Sequence, residues 1–263
     1  YADNKYVNMM MGYTLNLLGG TVHNWKLQHN ILHHTYTNID NIDDDIEIKP
    51  LLRMFTSQKK YFIHRFQHIY VWFLYTLLLL VWVFQSDYKK YFSKKVGEVP
   101  IKKMSAFDHF AFWFAKAGYY FMMIVLPIML VGFVPWMVGF LIIAMFAGFV
   151  LSIVFQLAHT VEETTFPVPN ADINTIENEW AIHQVQTTAN FATKNKLISW
   201  LVGGLNFQIE HHLFPKISHI HYPAISKIIK KTCEEYGVKY IEFRKMRHAI
   251  VSHATHLKNM GRA

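Results

Sequence analysis

"AGYYFMMIVLPIMLVGFVPWMVGFLIIAMFAGFVLSIVFQLAHTV", residues 117–161, runs for 45 residues without Asp, Glu, Lys or Arg. A helix needs about 20 apolar residues to cross the hydrocarbon core of a bilayer, so this stretch is long enough for two crossings. "LVGFVPW", with Gly132 and Pro135, supplies a break near its middle. Glycine and proline together mark a turn, which predicts a hairpin of two spans, about 109–131 and 136–158. Working outward, Phe66 to Ser86 is another 21 residues free of formal charge. Three apolar segments raise a question of parity, because the polar regions before and after them share an unusual residue type. The loop 87–106 carries Lys89, Lys90, Lys94, Lys95, Lys102 and Lys103 against Asp87 and Glu98. Basic loops stay on the cytoplasmic side. The expectation is therefore that 66–86 enters the membrane and returns, or lies on it, while 109–158 spans. The competing arrangement spans with 66–86 and lays 107–131 at the interface, with Lys116 snorkelling to water.

Composition agrees with a membrane protein. Apolar residues make up 52% of the 263 and charged residues only 17%, so a bilayer is the expected solvent for part of the chain. The net charge of +8 sits in loops flanking apolar segments, which suits an anionic leaflet and argues against nucleic acid. A single cysteine, Cys233, excludes a disulfide framework and thiolate-rich metal sites. The chain starts at Tyr1 rather than methionine, which suggests a piece of a longer protein.

The shared residue is histidine, present 16 times. One histidine alone is ordinarily solvated or hydrogen-bonded, so position decides. "WKLQHNILHHTYTN" (25–38) places His29, His33 and His34 at i, i+4 and i+5, where the first two share a helical face. "NFQIEHHLFP" (206–215) repeats the adjacent pair as His211 and His212, and His159 lies at the end of the second predicted span. Parity brings these groups to one membrane face. Imidazole suits iron, zinc and copper alike, and the paired histidines point to metal binding. His64 and His68 start an apolar segment and read as interface anchors. His109, His248, His253 and His256 have no convergent company and read as surface residues. His219 and His221 stay open between surface and support of the site.

"HNILHHTYTNI" and "NFQIEHHLFP" resemble the histidine boxes of the membrane fatty acid desaturases, and the similarity runs from about Gly12 to Tyr240, including "EWAIHQVQTTANF". Gln208 at the head of the last box resembles the front-end (delta-5/delta-6-like) subgroup. The resemblance implies an all-α fold: polytopic membrane helices with a cytosolic helical cap holding a histidine-rich di-metal site. It implies one desaturase domain over 1–263, with the cap formed by 1–60 and 160–263. It also implies two iron ions as cofactor and no haem within this chain. By matching motifs, His29, His33, His34, His159, His211 and His212 are the expected metal ligands. Gln208, His183 and Glu210 are possible ligands or supports of the ligands. The expected partners are an acyl-CoA or acyl-lipid substrate, O2, the lipid bilayer and an external electron donor of ferredoxin or cytochrome b5 type. The site is expected on the cytosolic face of a bacterial inner membrane or the endoplasmic reticulum. The family's first histidine box has no counterpart here, because the first histidine is His23. Truncation is the simplest account, and the piece alone is expected to be inactive. A lipid hydroxylase is the main rival, since it would use a similar cluster. An electron carrier would instead place paired histidines within facing spans, and a metal transporter would line a path with polar residues.

Overall fold

The computed structural model describes residues 3–170 and 175–263. Of the segments expected outside the membrane, residues 1–2 and 171–174 lie outside the described ones. Regular structure among the described residues is helical apart from two pairs of two-residue strands. Lys95–Val96 runs antiparallel to Val99–Pro100, and Asn190–Phe191 runs parallel to Glu242–Phe243. Contacts divide the chain into two compact units, Tyr1–Ile31 with Phe73–Ser152, and Leu32–Trp72 with Ile153–Ala263.

The first unit holds most of the apolar hairpin. Ala106–Val131 and Phe133–His159, of 26 and 27 residues, have mean hydropathies of 1.7 and 2.7 and are long enough to cross a membrane. Ser105 caps the first helix: its hydroxyl accepts from the Asp108 N–H, and the Asp108 carboxylate accepts from the Ser105 N–H at 2.9 Å. Pro127 has no N–H to offer Met123 one turn back, and a widened turn at Phe121–Val125 precedes it. The Trp136 indole donates to the Met123 carbonyl at 2.8 Å, so the carbonyl is satisfied where lipid offers no donor. Gly132, at φ +85°, makes the turn alone. Pro135 falls in the first turn of the next helix, where a missing N–H costs nothing. The helices are accordingly longer than the expected 109–131 and 136–158.

The apolar stretch 66–86 forms two helical segments, Phe62–Thr76 and Leu78–Ser93, bent by 61° at their junction. Among the described residues there are thus two candidate spans, or three if the bent pair counts as one. Near the bend the chain packs closely: a Cβ on Gly148 would lie 2.7 Å from the Thr76 carbonyl oxygen. Leu79, Val83, Tyr119 and Ala144 form the buried core here.

Lys116 does not reach for water. Its side chain is 1% exposed and pairs with Asp87, equally buried, at 2.9 Å. The ammonium also donates to the carbonyls of Gly19 (2.7 Å) and Val83 (3.1 Å), and Asn24 donates to Asp87 Oδ1 at 3.0 Å. The three ammonium hydrogens and both carboxylate oxygens are matched, which is what makes a buried ion pair tolerable.

In the second unit the helix Met246–Arg262 turns Ala249, Ser252, His253, His256 and Leu257 inward. The surface expected for His253 and His256 is therefore not what the chain adopts. Burial pushes both imidazoles down to about 4, so they are neutral guests of the interior. His253 Nδ1 lies 2.7 Å from the Thr160 carbonyl oxygen, and the His256 ring stacks on Phe166. His64 is buried too and donates through Nε2 to the Pro50 carbonyl at 2.8 Å. Two smaller apolar clusters complete the unit: Val185, Ile209, Ile229 and Cys233, and Val161, Ala189 and Ile241.

The ion pair of the first unit carries a prediction. Lys116→Met strands a buried carboxylate and should destabilise the protein by about 3–5 kcal/mol, whereas Lys116→Met with Asp87→Leu should recover most of that loss. Thermal unfolding in detergent micelles reads both. A single variant as stable as the parent would show that Asp87 does not depend on Lys116.

Candidate metal centre

Three histidines distant in sequence meet in the second unit. Candidate ligand atoms of His33, His159 and His212 all lie within 4.8 Å of one another, and all three residues are buried. Ring centroids are 4.7 Å apart for His33–His159 and 4.8 Å for both His33–His212 and His159–His212. Buried imidazoles crowd in this way only if they share something or are neutral. Burial and the neighbouring histidines hold His212 well below the usual imidazole range.

Each of the three rings has its Nδ1 against an oxygen. His33 Nδ1 lies 2.9 and 3.0 Å from the two oxygens of Asp43, with Asp45 4.0 Å away. His212 Nδ1 lies 2.9 Å from Gln184 Oε1 and 3.2 Å from Thr37 Oγ1, and the Thr37 hydroxyl itself donates to Gln184 Oε1. His159 Nδ1 lies 3.4 Å from the Thr187 carbonyl oxygen. An amide oxygen or a carboxylate can only accept, so the ring proton belongs on Nδ1 and the lone pair on Nε2. The Nε2 of His212 is buried and has no hydrogen-bond partner. A buried acceptor left so is costly unless something fills its place, and a metal ion fits a donor set of this kind. His33 differs in one respect. Burial would lower its pKa, but the Asp43 carboxylate outweighs that and raises it.

Local backbone decides which histidines of the first group share a side. The segment Lys26–His33 is a widened, π-type helix. In an α-helix a residue five positions on sits roughly 140° round from the first, but a turn of roughly 4.4 residues brings both i+4 and i+5 within about 50° of it. His29 lies one turn ahead of His33 on this segment, belongs to the first unit, is buried and stacks on Trp25 at 4.3 Å. Asn38, at φ +60°, turns the chain directly after the box; its side-chain amide donates to the carbonyls of His159 (2.9 Å), Thr165 (3.0 Å) and Thr187 (3.2 Å). His34 stacks on His212 at 4.4 Å and meets His211 edge-on at 4.7 Å, while the Tyr222 hydroxyl lies 3.3 Å from His211 Nδ1.

The remaining sequence candidates take other places. Gln208 is buried on the helix Gln208–Leu213, and its amide nitrogen has no partner. His183 is buried on Trp180–Gln186 with Nε2 unpartnered; burial, against a hydrogen bond to the Thr37 backbone, pulls it down to about 4. Its neighbour Gln184 is the one that touches His212. Glu210 accepts from Asn190 Nδ2 and the Tyr240 hydroxyl, both at 2.8 Å, and burial raises its pKa. Asp43, Gln184, Thr37 and Asn38 were not anticipated from the sequence. The one available signal was the aspartate run "DNIDDDIE" directly after the first histidine group.

Comparison with known proteins places this chain in a family. The fatty acid desaturase family profile matches residues 2–244. The chain is 38% identical to an sn-1 linoleoyl-lipid 6-desaturase of Synechocystis, over 100% of this chain and 74% of that protein. It is 38% identical to a protein of the same name from Arthrospira platensis, over 99% and 70%. An acyl-lipid (8-3)-desaturase of Physcomitrium patens is 37% identical, over 96% of this chain and 53% of its own length. No solved structure matches. With a profile that covers nearly the whole chain and relatives aligned over all of it, the chain belongs to the fatty acid desaturase family.

Proposed function

We propose that this protein is an oxidoreductase that introduces a double bond into the acyl chain of a lipid, as a front-end desaturase in unsaturated fatty acid synthesis. The observation that carries the reading is the convergence of His33, His159 and His212, each with Nδ1 against an oxygen, within a chain of this family. The relatives named as 6-desaturases and (8-3)-desaturases support the front-end assignment.

His33, His159 and His212 would hold one iron. His34 and His211, whose rings meet, would hold a second. Iron bound there would supply an oxidising power that no side chain has. The overall change breaks two C–H bonds and forms one C=C bond; O2 takes up those two hydrogens, two further protons and two electrons, and leaves as two waters. An external donor of ferredoxin or cytochrome b5 type would supply the electrons. The chain's own residues position and insulate. Asp43, Gln184 and the Thr187 carbonyl hold the ring protons on Nδ1, so that the nitrogens facing inward are acceptors. Burial of these rings keeps water from competing for the site. The substrate is an acyl-lipid or acyl-CoA, and the lysine-rich loop 87–106 supports a cytosolic active face and cap. Gln208 and His183, with amide or imidazole nitrogens open in the interior, would lie beside the reacting chain or support a ligand.

Expressed in a host providing unsaturated lipids and reductant, the protein should yield new double bonds, seen by gas chromatography and mass spectrometry of fatty acyl esters. His33→Ala and His212→Ala should each abolish the product while leaving membrane insertion intact. Product unchanged in either variant would remove that residue from the ligand set, and an alcohol in place of an alkene would make the protein a hydroxylase. Asp43→Asn, which keeps the shape but weakens the hold on the His33 proton, should lower metal affinity about 10- to 100-fold. Titration of the purified protein with Fe(II) or Co(II) reads this directly, and an unchanged affinity would reduce Asp43 to a loop brace.

A further inference from the structure

The loop that carries Asp43 has no regular structure of its own. Between the helix His34–Tyr36 and the segment Phe62–Phe66 the chain makes only turns and bends. Yet Asp43 must stay within hydrogen-bond reach of the His33 ring, where its two oxygens lie 2.9 and 3.0 Å from Nδ1. Ile39 and Ile46 pin the loop from inside, at 1% and 0% exposure. Around the carboxylate, the Asn38 N–H donates to Oδ2 at 2.9 Å and the Asp45 N–H to Oδ1 at 3.2 Å. These bonds tie Asp43 to its own neighbours in sequence. They do not tie the loop to the rest of the unit.

A single side chain closes the loop from outside. Lys49 Nζ lies 2.8 Å from Asp40 Oδ1, 2.9 Å from Asn41 Oδ1 and 3.0 Å from Glu47 Oε1. An ammonium has three hydrogens to donate, and here each has an oxygen. Asp40 and Asn41 precede Asp43 in sequence and Glu47 follows it, so Lys49 draws both arms of the loop together. Asn41 takes φ +66° at this point, and its N–H donates to the same Glu47 oxygen at 2.7 Å. Asp40 then fastens the closed loop to the next segment. Its Oδ1 accepts from Gln58 Nε2 at 3.1 Å and its Oδ2 from the Ser57 hydroxyl, while Gln58 Oε1 accepts from the Met54 N–H at 2.9 Å. A lone exposed ion pair contributes little, because two long side chains must be ordered for one contact. Lys49 instead joins acceptors that other bonds already hold, and a network of that kind is where a surface charge acts.

We propose that Lys49 is a positioning residue of the metal centre: by closing the loop 40–49 onto Asp40, Asn41 and Glu47, it holds Asp43 against His33 Nδ1. The proposal rests on the reading of His33 as a metal ligand. Lys49 donates to loop oxygens and not to a candidate ligand, so its effect passes through Asp43.

The full chain, purified in a neutral maltoside detergent and titrated with Co(II), tests this through a double-mutant cycle. Lys49→Met should weaken Co(II) binding about three- to tenfold, a part of the roughly 10- to 100-fold that goes with losing the outer hydrogen-bond partner of a ligand. In an Asp43→Asn background the same substitution should change the affinity no further, because the residue it positions is already lost. Lys231→Met, which breaks an ion pair with Glu235 elsewhere in the unit, should leave the affinity unchanged. Hydrogen exchange of the metal-free protein gives a second readout. The amides of Asn38, Asn41 and Asp43 should exchange faster in Lys49→Met, while the helix Met246–Arg262 stays as protected as in the parent. Equal weakening by Lys49→Met with and without Asp43→Asn overturns the proposal, and so does an equal fall in Lys231→Met or unchanged exchange in the loop. Unchanged affinity in Lys49→Met beside a weakened Asp43→Asn overturns it alone, whereas unchanged affinity in Asp43→Asn overturns it together with the reading of how His33 is held.

Discussion

The whole arrangement depends on where one proton sits on each buried imidazole. A histidine can lend a lone pair to a metal only from the nitrogen that lacks hydrogen. In water the two tautomers interchange, and at mildly acid pH both nitrogens carry protons. The second unit removes that freedom three times with three different acceptors: the carboxylate of Asp43, the amide oxygen of Gln184 and the main-chain carbonyl of Thr187. The acceptors are not equivalent. A carboxylate pulls the proton hardest and raises the basicity of the ring, which is why His33 is pushed up while His212, buried without a carboxylate among other histidines, is pushed down. A trio that shares one cavity therefore contains one strongly and two weakly polarised rings.

That demand reaches into the fold. Asn38 ties the carbonyls of His159, Thr165 and Thr187 to the turn after the first histidine group, so the strands of chain that carry two of the rings cannot drift apart. Thr37 sits between His212 and Gln184, and its hydroxyl, with one proton to give, lies 2.9 Å from Gln184 Oε1 and 2.6 Å from the His33 carbonyl oxygen. Glu210, flanked in sequence by the box residues, anchors the helix Gln208–Leu213 through Asn190 and Tyr240. The two residue types that share the motif thus split the labour: the histidines present nitrogen, and the glutamate holds their helix.

How much of this the sequence disclosed follows from the type of signal. A run of 45 uncharged residues has few explanations, so the hairpin was legible, and its ends were misplaced where Pro135 proved to be inside a helix rather than in the turn and where Ser105 caps a helix that starts at Ala106. Paired histidines at helical spacing are equally rare, and they led to the cluster. Asp43, Gln184 and Asn38 were invisible because aspartate, glutamine and asparagine are common in loops, and their roles arise only from contacts far along the chain. His253 and His256 were misread for a related reason. They repeat with Ala249, Ser252 and Leu257 along one buried helical face, but a face that mixes histidine and serine with aliphatic residues does not register as apolar. The widened turn of Lys26–His33 had no sequence signature at all, although it alters which residues share a side.

The two polar interiors obey one rule under different conditions. Lys116 and Asp87 are charged and lie in an apolar region, so each needs the other and several further donors or acceptors. His253 and His256 avoid the same cost by giving up the charge, and a single hydrogen bond or ring stack then suffices for each. A metal site requires the second solution, because neutral imidazoles keep their lone pairs. Of its ionisable side chains the helix Met246–Arg262 buries only neutral histidines, with His253 gripping Thr160 next to His159, and leaves Lys258 half-buried and Arg262 exposed. Reversing the faces would bury unpaired charge beside the very rings that must stay uncharged, so the polarity of this helix is set by the chemistry of its inner neighbours.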